Sequence, residues 1–272
     1  MRDMTLLFGT NLNDSLTGGN EKDIIFGKNG NDTISGKGSD DRLFGEAGDD
    51  ILNGDDGNDF LDGGNGSDII DGGNGNNLIF GGNGNDSLSG GGNALGNDTM
   101  YGGYGDDNLD GGYGDDNLFG EDGNDNLFGF FGNDTLNGGA GNDTIKGSFL
   151  HSGIKEIDRL TGGSGADTFI LGGSSYGEVM PLYKGDNSNY ALITDFNKSE
   201  DAILLQRLEG DLRHNSAVEV QYSLGATPSG LPEGTGIYVN SQGQQPDLIA
   251  ILQGVDPSSV NLSEKYFQFF TT

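Results

Sequence analysis

The chain contains no cysteine and no tryptophan, and only 13 lysines and arginines stand against 43 aspartates and glutamates. Without cysteine there is no disulfide framework and no thiolate metal site, so stability cannot depend on redox state. With so few cations and a formal net charge of -30, the chain is a poor partner for phosphate backbones, and nucleic acid is disfavoured. No apolar run is long enough to span a membrane. The start, MRDMTLLFGT, offers only Thr5 to Phe8 as an apolar run and does not read as a cleavable signal peptide. The five prolines, Pro181, Pro228, Pro232, Pro246 and Pro257, all fall late in the chain and mark a change of composition after Leu171.

From Leu43 to Ile145 there is no Lys or Arg, while 21 Asp and Glu fall in that span. Such self-repulsion calls for a cation that the protein does not itself supply. The alternative is a solvated acidic linker, because glycine-rich acidic chains with few large apolar groups do not fold. Here 53 of 272 residues are glycine and 32% are apolar.

A repeat decides between the two. From Gly9 the chain divides into 17 consecutive units that open on glycine, 15 of them nine residues long. The exceptions are Gly90 to Tyr101, with 12 residues, and Gly147 to Thr161, with 15. Counting the long units from their C-terminal ends, the sixth position is Asp in 16 units and Asn only at Asn77. The eighth is apolar in all 17, from Leu16 to Phe169. A disordered linker has no reason to hold that register. Gly, Asn and Asp in the first six positions suit a tight turn, and the last three suit a short strand with position eight inward and seven and nine outward. One unit cannot bury its aliphatic side chain, but stacked units can, and two units make one coil of 18 residues.

The pattern resembles the RTX nonapeptide, GGxGxDxUx with U a large aliphatic. Close copies are GGNGSDIID (63–71), GGNGNDSLS (81–89), GGYGDDNLD (102–110), GGYGDDNLF (111–119) and GGAGNDTIK (138–146). The resemblance implies an all-β fold, a right-handed parallel β-roll over residues 9–171, after a lead-in of residues 1–8. It implies Ca²⁺ ions, on the order of ten, between turns stacked 18 residues apart. In that family one turn offers the carbonyls of its second and fourth residues and a sixth-position carboxylate oxygen. The next turn on the same edge offers first- and third-position carbonyls and a second carboxylate.

Carried onto this chain, the resemblance makes the sixth-position ligands Asp32, Asp41, Asp50, Asp59, Asp68, Asn77, Asp86, Asp98, Asp107, Asp116, Asp125, Asp134, Asp143, Asp158 and Asp167. Second-position carbonyls would come from Lys28, Lys37, Glu46, Asp55, Gly64, Gly103, Gly112 and Glu121, and fourth-position ones from Gly30, Ser39, Gly48, Gly57, Gly66, Gly105, Gly114 and Gly123. First-position carbonyls would come from Gly45, Gly54, Gly63, Gly72, Gly81, Gly120, Gly129 and Gly138, and third-position ones from Ala47, Asp56, Asn65, Asn74, Asn83, Asp122, Phe131 and Ala140. Asp68 would serve two ions, one through each oxygen. The donor set agrees with calcium on its own chemistry, since many hard oxygens with no thiol and almost no imidazole argue against Zn²⁺, and Mg²⁺ prefers a smaller octahedral site.

Departures from the pattern mark expected weak points. The first two units lack the fourth-position glycine, GKGSDDRLF has Ser39 there, and the 12- and 15-residue units must loop out beside Gly90 to Asn97 and Ser148 to Glu156. Asn77 keeps one oxygen but loses the charge, so ions shared with Asp59 and with Asp98 should both be weakened.

Position nine faces outward and carries Phe26, Phe44, Phe80, Tyr101 and Phe119 in even units, against Phe128 alone among the aromatics of the odd ones. Five rings would then run along one face, either as a stack that steadies the sheet or as a contact surface for self-association, a polysaccharide or a cell surface.

After Leu171 the beat stops. The runs YALITDF (190–196), DAILLQRL (201–208), AVEVQYSL (217–224), TGIYVN (235–240) and DLIAILQGV (247–255) read as strands between turn signals, so residues 172–272 should form a β cap on the roll. The junction DRLTGGSGADTFIL with ITDFNKSEDAILL resembles the end of the roll in serralysin-type proteases and in alginate-epimerase repeat modules. That resemblance implies an uncleaved C-terminal signal for a type I secretion exporter, with which the closing NLSEKYFQFFTT is compatible.

There is no His-Glu-x-x-His, no Gly-x-Ser-x-Gly and no phosphate loop, and His151 and His214 have no catalytic partner pattern. The expected function is therefore non-enzymatic, a secreted calcium-binding module that folds on the ion outside the cell. The alternative is the C-terminal repeat module of a larger extracellular enzyme or toxin. An ice-binding solenoid would need regular outward Thr rows, and Thr at position seven is sporadic.

Overall fold

The computed structural model describes residues 4–91, 96–148, 156–171, 190–207, 221–240 and 246–271. As far as the strand Ala202–Arg207 successive strands alternate between two sheets, one of 13 strands and one of 11 among the described residues. Through the repeats neighbouring strands of each sheet are parallel and pair in register, so that Leu43 meets Leu61 and Leu61 meets Ile79, 18 residues apart. The chain is thus the parallel β-roll that the period predicts, with two units per coil.

Sixteen of the eighth-position side chains, Ile25 through Phe169, are at most 1% exposed and form one continuous column between the sheets. Leu16, in the first unit, is only partly buried against it. The core is one side chain wide, so its stability comes from length rather than from thickness.

The strands are longer than the pattern suggests. Leu78–Asn83, Asn108–Tyr113 and Asn117–Asp122 each run on from positions seven to nine through the first three residues of the next unit. Coils stacked in register bring those first three residues alongside one another as well, as with Gly64 against Gly82, and their backbones pair there too. Only the early strands of the smaller sheet, such as Ile51–Asn53, keep three residues.

Both long units preserve this register. Met100 still lies beside Ile79 at a separation of 21, and Leu160 beside Leu136 at 24. A Cβ on Gly91 would meet the Gly73 carbonyl and one on Gly96 the Gly75 carbonyl. The 12-residue unit therefore replaces a single third-position residue by residues 92–95, which lie outside the described residues.

Past Leu171 the same sheets continue. Tyr190–Ile193 pairs parallel with the strand Ile157–Ser164, and Ala202–Arg207 with Thr168–Leu171. Asp247–Gln253 and Phe267–Thr271 extend the two sheets once more, and Gly234–Asn240 with Gln221–Ala226 closes the larger one in antiparallel fashion. Phe196 packs edge-on to both Phe169 and Tyr266, sealing the last coil with aromatic surface. Residues 217–220 and 208 of the expected strands, and His151 and His214, lie outside the described residues.

Candidate calcium-binding turns

The turns on both edges share one backbone device. The second and fourth positions take positive φ even where the residue is not glycine: Lys28 (85°), Lys37 (81°), Ser39 (81°), Glu46 (75°), Asp55 (69°), Glu121 (76°) and Phe130 (71°). A left-handed conformation costs a non-glycine residue about 1–2 kcal/mol, and its recurrence at fixed positions shows that the stack imposes it. Gly66, at φ 133°, shows why the fourth position favours glycine, because a Cβ there would run into the Gly48 carbonyl of the coil below.

Those carbonyls point along the stack, and so do the carboxylates. Every sixth-position side chain from Asp23 to Asp167 is at most 3% exposed. From Asp23 to Asp143 each sends its backbone N–H to Oδ1 of its counterpart in the next coil: Asp32 to Asp50 at 2.7 Å, Asp50 to Asp68 at 2.8 Å, Asp68 to Asp86 at 2.7 Å, Asp107 to Asp125 at 2.8 Å. The other oxygen is stranded. Oδ2 of Asp32, Asp41, Asp50, Asp59, Asp68, Asp86, Asp107, Asp116, Asp125, Asp134 and Asp143 is buried with no hydrogen-bond partner among the described residues.

From Asp32 to Asp134 each of these stranded oxygens faces a further acceptor. A Cβ placed on Gly111 would fall 2.6 Å from Asp116 Oδ2 and 2.8 Å from the carbonyl oxygen of Gly129 in the next coil. Two buried acceptors converging with no donor between them is an uncompensated arrangement. A cation of the calcium type fits it, being hard and satisfied by carboxylate and carbonyl oxygens. Among the described residues no three Asp, Glu or His side chains come together as a metal group, so backbone carbonyls would have to complete the coordination. Asp68 Oδ1 accepts the Asp50 N–H and keeps one lone pair, while its Oδ2 faces the Gly81 carbonyl. Its two oxygens thus look toward two neighbouring gaps.

Without a cation, burial pushes these carboxyls well above the usual range. Asp59, Asp68, Asp107 and Asp116 rise to about 7 and Asp134 to about 8, with burial the largest cause and stacked carboxylates adding to it. The Asp N–H groups of adjoining coils work in the opposite direction.

The ends of the array are built differently. Thr10 and Gly19 are not among the positive-φ residues, and their N–H groups turn inward onto Asp14 Oδ2 and Asp23 Oδ2, each at 2.6 Å. Those two turns satisfy their own carboxylates. At the far end Asp201 continues the ladder, taking the Asp167 N–H on Oδ1 at 3.2 Å and the Asn197 N–H on Oδ2 at 2.7 Å. Ser39 does not distort its turn, since it takes the same positive φ as glycine and Asp41 keeps a stranded Oδ2.

Sequence reasoning missed several residues. Glu156, 3% exposed, accepts the Gly132 N–H on Oε1 at 3.3 Å. In regular turns the corresponding N–H goes to a third-position carbonyl, as from Gly114 to Phe131 at 2.9 Å. Only the register, hidden by the 15-residue unit, could have shown that substitution. On the sheet face, Phe8 and Phe60 join the five expected rings. Phe8, Phe26, Phe44, Phe60, Phe80, Tyr101 and Phe119 stack in succession with centroids 4.8–5.5 Å apart. Phe60, a position-seven residue, covers the place where Asp62 would have broken the row.

The RTX calcium-binding nonapeptide repeat family matches residues 8–43, 26–61, 35–70, 62–94, 95–127, 128–148 and 155–175. These matches take in more than half of the chain, which belongs to that family and is a calcium-binding repeat module. The solution structure of the AlgE6R3 subunit from the Azotobacter vinelandii mannuronan C5-epimerase is similar over 63% of this chain and 77% of that one, with 22% identity and a TM-score of 0.32. No curated protein matches the chain. No helix among the described residues is long and apolar enough to cross a membrane.

Proposed function

We propose that this chain is an extracellular module, itself without catalytic activity, whose folding is driven by calcium. The observation that carries the reading is the set of eleven buried Oδ2 atoms without partners among the described residues, ten of them, Asp32 to Asp134, set against a carbonyl of the next coil. A thin core and stacked carboxylates leave the roll short of stabilising energy, and binding by the folded form alone would supply it. Asp32 through Asp143 and the turn carbonyls would hold the ions, which supply the positive charge the coils lack.

The same dependence suits export. A chain that is unfolded where calcium is scarce could pass a narrow type I exporter and fold outside, where calcium is millimolar. The described ring row stacks on itself, which supports sheet stabilisation as its first role; contact with a second roll or a polysaccharide would use the outer ring edges.

Circular dichroism through a calcium titration tests the reading. The expected result is loss of the β spectrum in calcium-free buffer and its cooperative return with calcium. A full β spectrum without calcium would overturn it.

A further inference from the structure

Asn77 is 3% exposed and stands where every neighbouring coil has a carboxylate. Its amide orientation is fixed by a donor. The Asp59 N–H points at the Asn77 side chain at 3.0 Å, so that atom must be the oxygen, and Nδ2 takes the place of the stranded Oδ2. Nδ2 donates to the Gly75 carbonyl at 3.3 Å and to the Gly90 carbonyl at 3.4 Å. These are the fourth-position carbonyl of its own turn and the first-position carbonyl of the next, and the latter is the oxygen that faces a bare Oδ2 elsewhere in the stack. The Asn77 backbone N–H goes to Asp98 Oδ1 at 2.6 Å, so the ladder is unbroken.

Resting on the calcium reading above, we propose that the Asn77 amide stands in for a cation in the gap between the Asn77 and Asp98 turns. That gap holds no ion, and the side chain itself interrupts the array there. The gap on the other side is intact. Asp59 keeps its stranded Oδ2, the Gly72 carbonyl lies across from it, and Asn77 offers a true oxygen. One gap is lost, not the two that the residue type alone suggests. The two edges then differ. One carries stranded oxygens in seven successive turns, Asp32 to Asp143, while the other has Asp41 and Asp59 on one side of the break and Asp116 and Asp134 on the other.

The test is a count of bound calcium by native mass spectrometry for the calcium-saturated chain and its Asn77→Asp variant, with a crystal structure of the unaltered chain in saturating calcium. The expected result is one additional ion in Asn77→Asp and no ion between Asn77 and Asp98 in the crystal. Equal, non-zero counts, or an ordered ion in that gap of the unaltered chain, would overturn the proposal while leaving the calcium array standing. Zero ions in both proteins would bring down the array reading itself. Should Asn77→Asp fail to fold, the crystal structure alone decides.

Discussion

Asp50 and Asp68 are joined by one hydrogen bond, from the backbone N–H of the first to Oδ1 of the second at 2.8 Å. That bond decides which oxygen of Asp68 is left over and gives each of its substitutions a different outcome. Asp68→Asn keeps an oxygen for the Asp50 N–H and turns an NH₂ toward the Gly81 carbonyl, the arrangement already present at Asn77. It should lose about one ion and fold at somewhat higher calcium. Asp68→Ala strips both gaps and leaves the Asp50 N–H unpaired, a cost of about 1–3 kcal/mol. Calcium titrations of the two variants should therefore rank alanine as clearly the worse; equal midpoints would mean that the amide cannot take over the carboxylate's structural role.

Gly111 separates steric from conformational causes. Its φ is not in the left-handed region, so alanine is allowed by the backbone, yet the added Cβ would sit within 3 Å of both Asp116 Oδ2 and the Gly129 carbonyl. Gly111→Ala should weaken calcium binding at that gap by about tenfold, on the order of 1.4 kcal/mol. Gly66→Ala adds left-handed strain and a clash with the Gly48 carbonyl, and should cost more in the calcium-free and calcium-bound states alike. Unchanged calcium affinity in Gly111→Ala would show that its carbonyl and carboxylate do not meet at an ion.

Acidity should act on the calcium-free chain in an unusual sense. Burial raises the carboxyls of Asp59, Asp68, Asp107 and Asp116 from 3.8 to about 7 and that of Asp134 to about 8. A carboxyl raised in the folded state binds more protons there than in the unfolded chain, so its stabilising contribution is complete below about 4 and is lost as pH climbs through 6 to 8. Calcium-free protein should therefore show more β structure near pH 5 than at pH 8. Calcium requires the ionised form, so the calcium midpoint should rise as pH falls across the same window. Far-ultraviolet circular dichroism at the two pH values checks both statements, and a calcium-free chain more folded at pH 8 would contradict the burial argument.

The roll was legible because one position, the eighth, repeats a single physical demand from Leu16 to Phe169. The turns were legible for the same reason through the sixth position. What the repeat could not show are contacts made across coils by residues at different positions. Phe60 meets Phe44 and Phe80 from position seven, because adjacency in a sheet depends on which way a side chain leans as well as on its number. Glu156 was hidden by an insertion that shifts its place in the unit, although its carboxylate ends up doing the work of a carbonyl. The Asn77 amide needed a direction, and only the Asp59 N–H supplies one.

Phe60 offers the sharpest test of the ring row. It is the one member that occupies a position-seven site, and its neighbours Phe44 and Phe80 lie 5.4 and 5.5 Å away at tilts of 43° and 41°. The other four contacts in the row, two from Phe8 to Phe44 and two from Phe80 to Phe119, are stacked pairs that do not involve Phe60. Each aromatic pair contributes about 0.5–1.5 kcal/mol beyond its buried area, so Phe60→Ser should cost the calcium-loaded roll about 1–3 kcal/mol of stability, two pairs' worth, read as a lower melting point. A triple change of Phe44, Phe80 and Phe119 to Ser breaks every stacked pair of this row except that of Phe8 with Phe26 and should cost more. If the row serves the sheet alone, both variants lose stability and leave self-association and polysaccharide binding as they were. If it is a contact surface, the triple variant loses association in sedimentation or binding measurements at temperatures where it is still fully folded. The stacked geometry favours the first outcome, because the ring faces that a partner would grip are already pressed against one another.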